Sequence, residues 1–554
     1  MVRSMVQPGR GRRHRRLGCR RQAARLRARP PRSGRGRRTA RGHAVSLRRR
    51  SGAGRPPNGA APRGARGGVR TGGGGLRKSD RQLVDVRPGR RRMAEGGRLR
   101  DGVHAIFDEG GVWNGTEGSL VIRCGMSEVD VTPPLGGEIP GYFGPRTATG
   151  VRDPLYAKSL VLESSDGTLA AIVAVDALSV PRETVEAVRQ RLKEAAGFDP
   201  AHVFVSTTHT HTGGPVSTGF GCTEDPGYLD WLARKAADSA LLAYRSRREA
   251  RIGFGLGREA DIAFNRRYFM KDGSFRTNPG VGNPNIDRPA GPIDPDVLVM
   301  RIDDAEGRPI GVVSNYACHT DTVGGTEYGA DFPGELSRFV KRALGEQAVS
   351  LFLLGSCGDI NHIDVSGKRA KSPDHYRRMG RILGAEVVRT REKIDVADEA
   401  DVAALSGTFE VDLRSPPEAE LAAAKRLLEE GTDDVREATY ARELLKIAAE
   451  CPVASRTVEV QAMRIGDMAL VGFPGEIFVE FGLDVKRKSR FAYTMIDTMC
   501  NGSVRAYICT RDAFRQGGYE PRMTFRNRFP EETGERMVGL ALELLERLGV
   551  GGTR

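Results

Sequence analysis

Residues Tyr156 to His211 read YAKSLVLESSDGTLAAIVAVDALSVPRETVEAVRQRLKEAAGFDPAHVFVSTTHTH. Two apolar runs flank Ser164-Ser165-Asp166-Gly167, the signature of a β-hairpin. A helix follows over 181–197. Pro181 suits its first turn, Glu183 the positive end of its dipole, and Gly197 its end. HVFVSTTHTH is the next strand, short and rich in valine, as expected for a strand buried inside a sheet. Strands alternating with a helix predict an α/β fold.

Outward from this block the same grammar continues. Order is expected to begin near residue 119. LVIRCGMSEVDVTPPLGG is a strand running into a Pro-Pro turn, and DPGYLDWLARKAADSALLAYRSR is a long amphipathic helix. DVLVMRIDDAEGRPIGVVSNYACH is a hairpin ending on His319. FPGELSRFVKRALGE is a helix, and SLFLLGSCGDINHID is a strand running into a loop. Further helices are predicted over 374–394, as a hairpin over 416–450, and over 535–549. Between the last two, VEVQAMRIGDMALVGFPGEIFVEFGLDVKRKS gives two strands and a helix starting near Pro474-Gly475-Glu476. The fold class is α/β, a mixed β-sheet core flanked by helices. It occupies residues 119–554, as one large domain or two closely packed lobes.

Charge divides the chain sharply. The first 100 residues carry 32 Lys and Arg against 3 Asp and Glu, a charge of +29. The whole chain has 87 and 70, so the remaining 55 basic and 67 acidic residues make −12. Residues 1–118 are Arg/Gly/Pro-rich with no apolar periodicity, too little to offset chain entropy, so a disordered basic tail is expected. It reads either as a nucleic-acid-binding arm or as sequence ahead of a mis-assigned start, with Met93 or Met126 as the truer one. Its arginines lead into no apolar run of a secretory signal, and no stretch of about 18 apolar residues follows, so a cytoplasmic protein without a transmembrane segment is expected. Eight cysteines form no CxxC pair, which predicts free thiols rather than a disulfide framework.

Chemistry gathers where apolar strands end, as ligand sites do in α/β folds. Asp176 follows AIVAV, His209 and His211 follow HVFVSTT, and His319 follows VVSNYAC. Asp359 and His362 follow SLFLLGSC, Glu476 follows MALVGFPG, and Tyr507 lies in NGSVRAYICT. Within a strand, an HxH pair points both imidazoles to one face. The pair is equally a metal-binding strand end or two polar residues at a turn. His209, His319 and a carboxylate would make a His₂Glu zinc set with a position open for water.

THTHTGGP resembles the THTHxGP motif of the neutral, non-lysosomal ceramidase family. GMSEVDVTPP, GEIPGYFG, IVAVD, AFNRRY, the hairpin up to His319, ADFPGE, SCGDIN, MALVGFPGE and NGSVRAYI resemble further segments of that family, in the same order, over roughly residues 124–525. The resemblance implies one catalytic Zn2+ held by His209, His319, Glu476 and Tyr507. It implies that His211 orients substrate or steers protons, and that Arg266 contacts the substrate's polar head or the developing oxyanion. Asp176 and Asp359 are expected to fix the imidazole tautomers, or in the case of Asp176 to serve as a turn carboxylate.

Asn361 stands where the family has a serine, HTDT replaces its HPxS, and only 47 residues follow Tyr507, too few for its immunoglobulin-like domain. The expected function is a metal-dependent amidohydrolase acting on a small-molecule or lipid-like N-acyl substrate other than ceramide, with no specific nucleic-acid partner. The alternatives are a nucleic-acid-associated protein working through the tail, and an inactive binding member of the family.

Overall fold

The computed structural model describes residues 121–368, 372–450 and 454–550. The basic tail over 1–118, with the nucleic-acid reading that rests on it, lies outside the described residues, as do Cys19, Met93 and Cys451.

The large sheet is built from β1 (Arg123–Asp130), β2 (Tyr156–Glu163), β3 (Leu169–Val175), β4 (Val203–Thr207), β5 (Arg248–Arg258), β6 (Asp296–Asp304), β7 (Pro309–Tyr316) and β8 (Val349–Leu354). Their order is β8-β7-β6-β5-β1-β2-β3-β4. The two predicted hairpins are there, β2 against β3 and β6 against β7, both antiparallel. Parallel pairing is confined to the two margins, β3 with β4 and β7 with β8, so the sheet is mixed.

A second sheet contains β9 (Val402–Asp412), β10 (Ser455–Ile465), β11 (Met468–Gly472) and β12 (Tyr493–Asp497), in that order. It packs face to face on the first. Helices α1 (Arg182–Ala196), α2 (Pro226–Arg245), α3 (Asp331–Leu344) and α4 (His375–Arg391) cover the outer face of the large sheet. After the hairpin α5 (Glu418–Glu430) and α6 (Val435–Ala449), helices α7 (Val479–Lys488) and α8 (Thr533–Val550) cover the outer face of the small one. The layers are therefore helix, sheet, sheet, helix, one sheet more than the sequence pattern suggests.

The period-two rule shows why. In β3, Ala171, Val173 and Val175 face α1 and α2, whereas Ala170, Ile172 and Ala174 face the second sheet. A strand buried on both faces needs a continuous apolar run, which LAAIVAV supplies. The same division places Val458 and Val460 of β10 against α8, and Met463 and Ile465 between the sheets.

Strand β4 is an edge strand, yet all five residues are buried. Its open side is closed by other chain. Asn501 N donates to Val205 O at 2.8 Å, Val205 N donates to Asn501 Oδ1 at 3.2 Å, and Arg189 Nε donates to Val203 O at 3.1 Å. Pairing the edge in this way leaves no ladder free for another strand. Local signals agree at the helix ends. Asp225 caps α2 by accepting from Gly227 N and Tyr228 N, with Pro226 at the first turn. Pro181 sits at the N-cap of α1 and Gly197 closes it at φ 75°.

Cys124, Cys222, Cys318, Cys357, Cys500 and Cys509 are free and buried. No helix among the described residues is long and apolar enough to cross a membrane.

Between the sheets, buried Asp497 accepts from Ser206 Oγ at 2.9 Å and from Cys500 Sγ at 3.0 Å. Burial raises its carboxyl from 3.8 to about 7. Between about pH 4 and pH 7 the folded chain thus keeps a proton that the unfolded chain has released. That contribution to stability is lost as pH rises through this window and then stays lost. Asp497→Asn, which never ionises, is expected to gain stability relative to wild type from pH 4 to pH 7. Urea unfolding at pH 4, 5.5 and 7 measures the difference, and parallel curves for the two proteins would refute it.

Candidate metal centre

The strand carrying the HxH motif stops at Thr207, before either histidine. The expectation that both imidazoles leave one face of a strand is therefore corrected. His209 instead adopts φ 62°, a left-handed turn that is uncommon for a non-glycine residue and marks a constrained site. The intervening threonines hold the turn. Thr208 Oγ1 donates to Asp176 Oδ1, Thr210 and Thr212 both donate to Gly329 O, and Thr320 Oγ1 donates to Thr208 O at 2.7 Å. Residues 207–213 and the loop after β7 are thus laced together, with the histidines turned to one point.

His319 follows β7 by three residues, and its N–H donates to Ile360 O at 3.2 Å. Glu476 and Tyr507 are neighbours in register on two short parallel segments, Glu476–Ile477 and Tyr507–Ile508. Gly475 makes this pairing possible. It has φ 83°, and a Cβ there would stand 2.7 Å from Ala506 O.

Each imidazole is fixed by a backbone carbonyl. His209 Nδ1 donates to Leu178 O at 2.7 Å, His211 Nδ1 to Gly141 O at 2.8 Å, and His319 Nδ1 to Cys357 O at 3.1 Å. A carbonyl only accepts, so each neutral ring carries its proton on Nδ1 and offers a lone pair on Nε2. Those Nε2 atoms converge: 3.2 Å from His209 to His319 and 3.3 Å from His209 to His211. The three ligand atoms all lie within 4.8 Å of one another. Glu476 Oε2 stands 3.5 Å from His209 Nε2 and 3.3 Å from His319 Nε2, buried and without a hydrogen-bond partner among the described residues. Converging lone pairs beside an orphaned carboxylate oxygen repel unless positive charge lies among them. The set fits a divalent cation, and imidazole with carboxylate suits zinc.

Titration follows the same geometry. Burial disfavours ionised Glu476, but His209, His319 and the Tyr507 hydroxyl outweigh it and hold the carboxyl far below its usual range. Burial would lower His209, but Glu476 more than offsets this and raises it. Burial, then His209, lowers His211 to about 4. Burial, then Arg266, drives His319 well down.

Arg266 lies behind Tyr507. Its Nε donates to Glu520 Oε1 at 3.1 Å and its Nη2 to Gly358 O at 2.5 Å. Its guanidinium faces the rings of Tyr507 at 5.4 Å and Tyr519 at 5.0 Å. Arg267 Nη1 shares Glu520, donating to Oε2 at 2.6 Å.

Asp176 and Asp359 do not fix the imidazoles, because backbone carbonyls do. Asp176 accepts from Tyr156 N and Thr208 Oγ1, so it is the turn carboxylate. Asp359 accepts from Val479 N and Asn265 Nδ2, both at 2.8 Å, tying its loop to the start of α7. Asn361 is buried and donates to Asn278 Oδ1 at 2.8 Å.

Sequence reasoning missed four contributors. Tyr519 and Glu520 sit in GGYEP, which carries no motif. Tyr142 sets its ring 5.6 Å from that of His211, tilted by 57°, and the Arg146 guanidinium lies 4.2 Å from the centre of the Tyr142 ring. Asp321, visible only as the D of HTDT, has a buried Oδ1 without a hydrogen-bond partner among the described residues, 3.8 Å from His362 Nε2. The signal that could have found the centre's frame, the carbonyls of Leu178, Gly141 and Cys357, is invisible in side-chain identity.

Two solved structures share this fold. "Ceramidase complexed with C2" superposes with a TM-score of 0.60 at 18% identity, covering 78% of this chain and 76% of that one. Neutral ceramidase from Pseudomonas aeruginosa gives 0.59 at 18% identity, over 78% and 75%. The fold is thus that of the ceramidases. Residues 122–328, which include His209, His211, Arg266 and His319, match the family model for neutral/alkaline non-lysosomal ceramidase, N-terminal. Neutral ceramidase B of Dictyostelium discoideum is 24% identical over 199 residues, 34% of this chain and 27% of that protein. Neutral ceramidase A of the same organism is 25% identical over 219 residues, 37% and 29%. The matched region spans under a third of either relative's length.

Proposed function

We propose that the chain is a zinc-dependent hydrolase that cleaves an N-acyl amide with water, on a substrate other than ceramide. The observation that carries this reading is the clustering of three Nε2 atoms, those of His209 and His319 set against a Glu476 oxygen that has no hydrogen-bond partner among the described residues, each imidazole anchored through Nδ1. When bound, zinc would supply a Lewis acid and lower the pKa of a water towards about 7.

His209, His319, Glu476 and Tyr507 would hold the ion, and His211, the third imidazole of the cluster, would stand beside it. Their carbonyl anchors keep the rings oriented without further ordering cost. His211 is neutral at pH 7, so its Nε2 takes a proton from the attacking water before giving it to the departing amine. Arg266 acts through Tyr507, since its guanidinium is committed to Glu520 and Gly358 O. It places cationic charge behind the phenol that faces the developing oxyanion. Asp321, with an open acceptor, suits a hydroxyl or amine on the substrate. A cavity of about 310 Å³ lined by Ile262, Phe264, Val281, Ile363, Met379 and Ile382 lies beside His362 and suits an apolar substituent.

The test is a panel of N-acyl amines of increasing acyl length, including ceramide, assayed for released amine. Hydrolysis of a short or medium amide is expected, lost on chelation and restored by zinc. No turnover of any amide by zinc-loaded protein would overturn the reading.

A further inference from the structure

Two residues before Tyr507, Arg505 lines a different cavity of about 410 Å³. Arg456, Arg526 and Arg528 line it too, and Glu450 is the one carboxylate among its described lining residues. Glu450 is exposed, and its carboxylate lies 3.9 Å from Lys446. Glu224 is shared by two of the arginines, 3.6 Å from Arg505 Nη1 and 3.2 Å from Arg526 Nη2. The backbone takes further donors: Arg505 Nη1 donates to Val216 O at 3.2 Å, Arg526 Nε to Thr218 O at 2.6 Å, and Arg528 Nε to Arg414 O at 2.7 Å.

Each guanidinium has five N–H donors, so these partners leave Arg505 and Arg526 with donors to spare. Positive charge is also under-compensated here. Burial lowers Arg505 to about 9, with Arg526 adding to the fall. Burial also lowers Arg526, against the pull of Glu224, and Arg528, and the charge of Arg456 adds to the fall in both. An anion entering the cavity relieves this repulsion. Four guanidinium forks around one space match a tetrahedral oxyanion better than a single planar carboxylate, which one or two forks saturate.

We infer that the cavity lined by Arg456, Arg505, Arg526 and Arg528 is a binding site for a phosphate group, separate from the histidine cluster. Its arginines hold the carbonyls of Val216 and Thr218, in the chain that follows His211, so an occupant draws on the same guanidinium groups that brace that segment.

The test is calorimetric titration of the full chain with inorganic phosphate at matched ionic strength, alongside sedimentation with phosphatidylcholine vesicles with or without phosphatidic acid. Arg456→Glu is the diagnostic variant, because Arg456 is exposed and remote in sequence from the proposed ligands, and the variant leaves the basic tail intact. Saturable phosphate binding that weakens at least about tenfold in Arg456→Glu supports a soluble phosphate ligand. Binding only to phosphatidic-acid vesicles, lost in the variant, supports a lipid headgroup. No binding in either arm, or equal binding by variant and wild type, overturns the site. Arg456→Gln, which removes charge but keeps bulk, must weaken binding in the same direction if charge reversal has not simply disturbed the fold.

Discussion

Purified wild-type protein is expected to retain zinc, and Glu476→Gln to lose it. The Gln side chain keeps the shape of Glu476 but removes the charge that opposes the cation. Structural zinc sites contribute about 10–16 kcal/mol, so four ligands share roughly 3 kcal/mol each, about a hundredfold in affinity per ligand. Glu476 stands against both His209 and His319, so its loss is felt by the whole set. Its removal also ends the pull that raises His209, leaving burial to keep that ring neutral. His209→Ala is expected to match Glu476→Gln in metal content. Amide hydrolysis should fall by about 10² or more in both. Elemental analysis after dialysis, with circular dichroism to verify folding, decides the matter. Equal zinc in wild type and both variants would sink the site.

Glu520→Gln is expected to cost about 3–5 kcal/mol of stability. Glu520 is buried and accepts from Arg266, Arg267 and Thr277 at 3.1, 2.6 and 3.0 Å. Neutralising it strands two buried guanidinium groups without the carboxylate that pairs with both. Arg266→Met is expected to cost less, because Arg267 and Glu520 still balance. This order, Glu520→Gln worse than Arg266→Met, follows from charge and not from the number of atoms removed. Urea unfolding at pH 7 measures both, and a cost below about 1 kcal/mol for Glu520→Gln would contradict it. Since Arg266 reaches the centre through Tyr507, Arg266→Met should lower kcat more than it raises KM.

Much of the fold was legible in residue order. The hairpins β2–β3 and β6–β7 were legible because apolar runs met at SSDG and AEGRP. The α1 and α2 boundaries were legible because Pro181, Gly197 and Asp225 act locally. The second sheet was not separable, because its strands carry the same apolar period as the first, and which faces meet depends on contacts distant in sequence. The strand assigned to the HxH motif ended too early for the expected geometry, because Thr208 and Thr210 bond to Asp176 and Gly329 rather than continuing the ladder.

The sequence by itself determined which chemistry is present: two histidines in THTHTGGP, a third after an apolar strand, a glutamate after a Pro-Gly turn and a tyrosine beyond it. Residue type and local spacing carry that information. Only the tertiary structure decided that three Nε2 atoms face one another beside Glu476, since their orientation is set by the carbonyls of Leu178, Gly141 and Cys357. Every residue has a carbonyl, so nothing in a sequence marks which ones will be aimed at a ring. The same holds for Glu520, whose role exists only because folding brings Arg266 and Arg267, over 250 positions away, into one buried space.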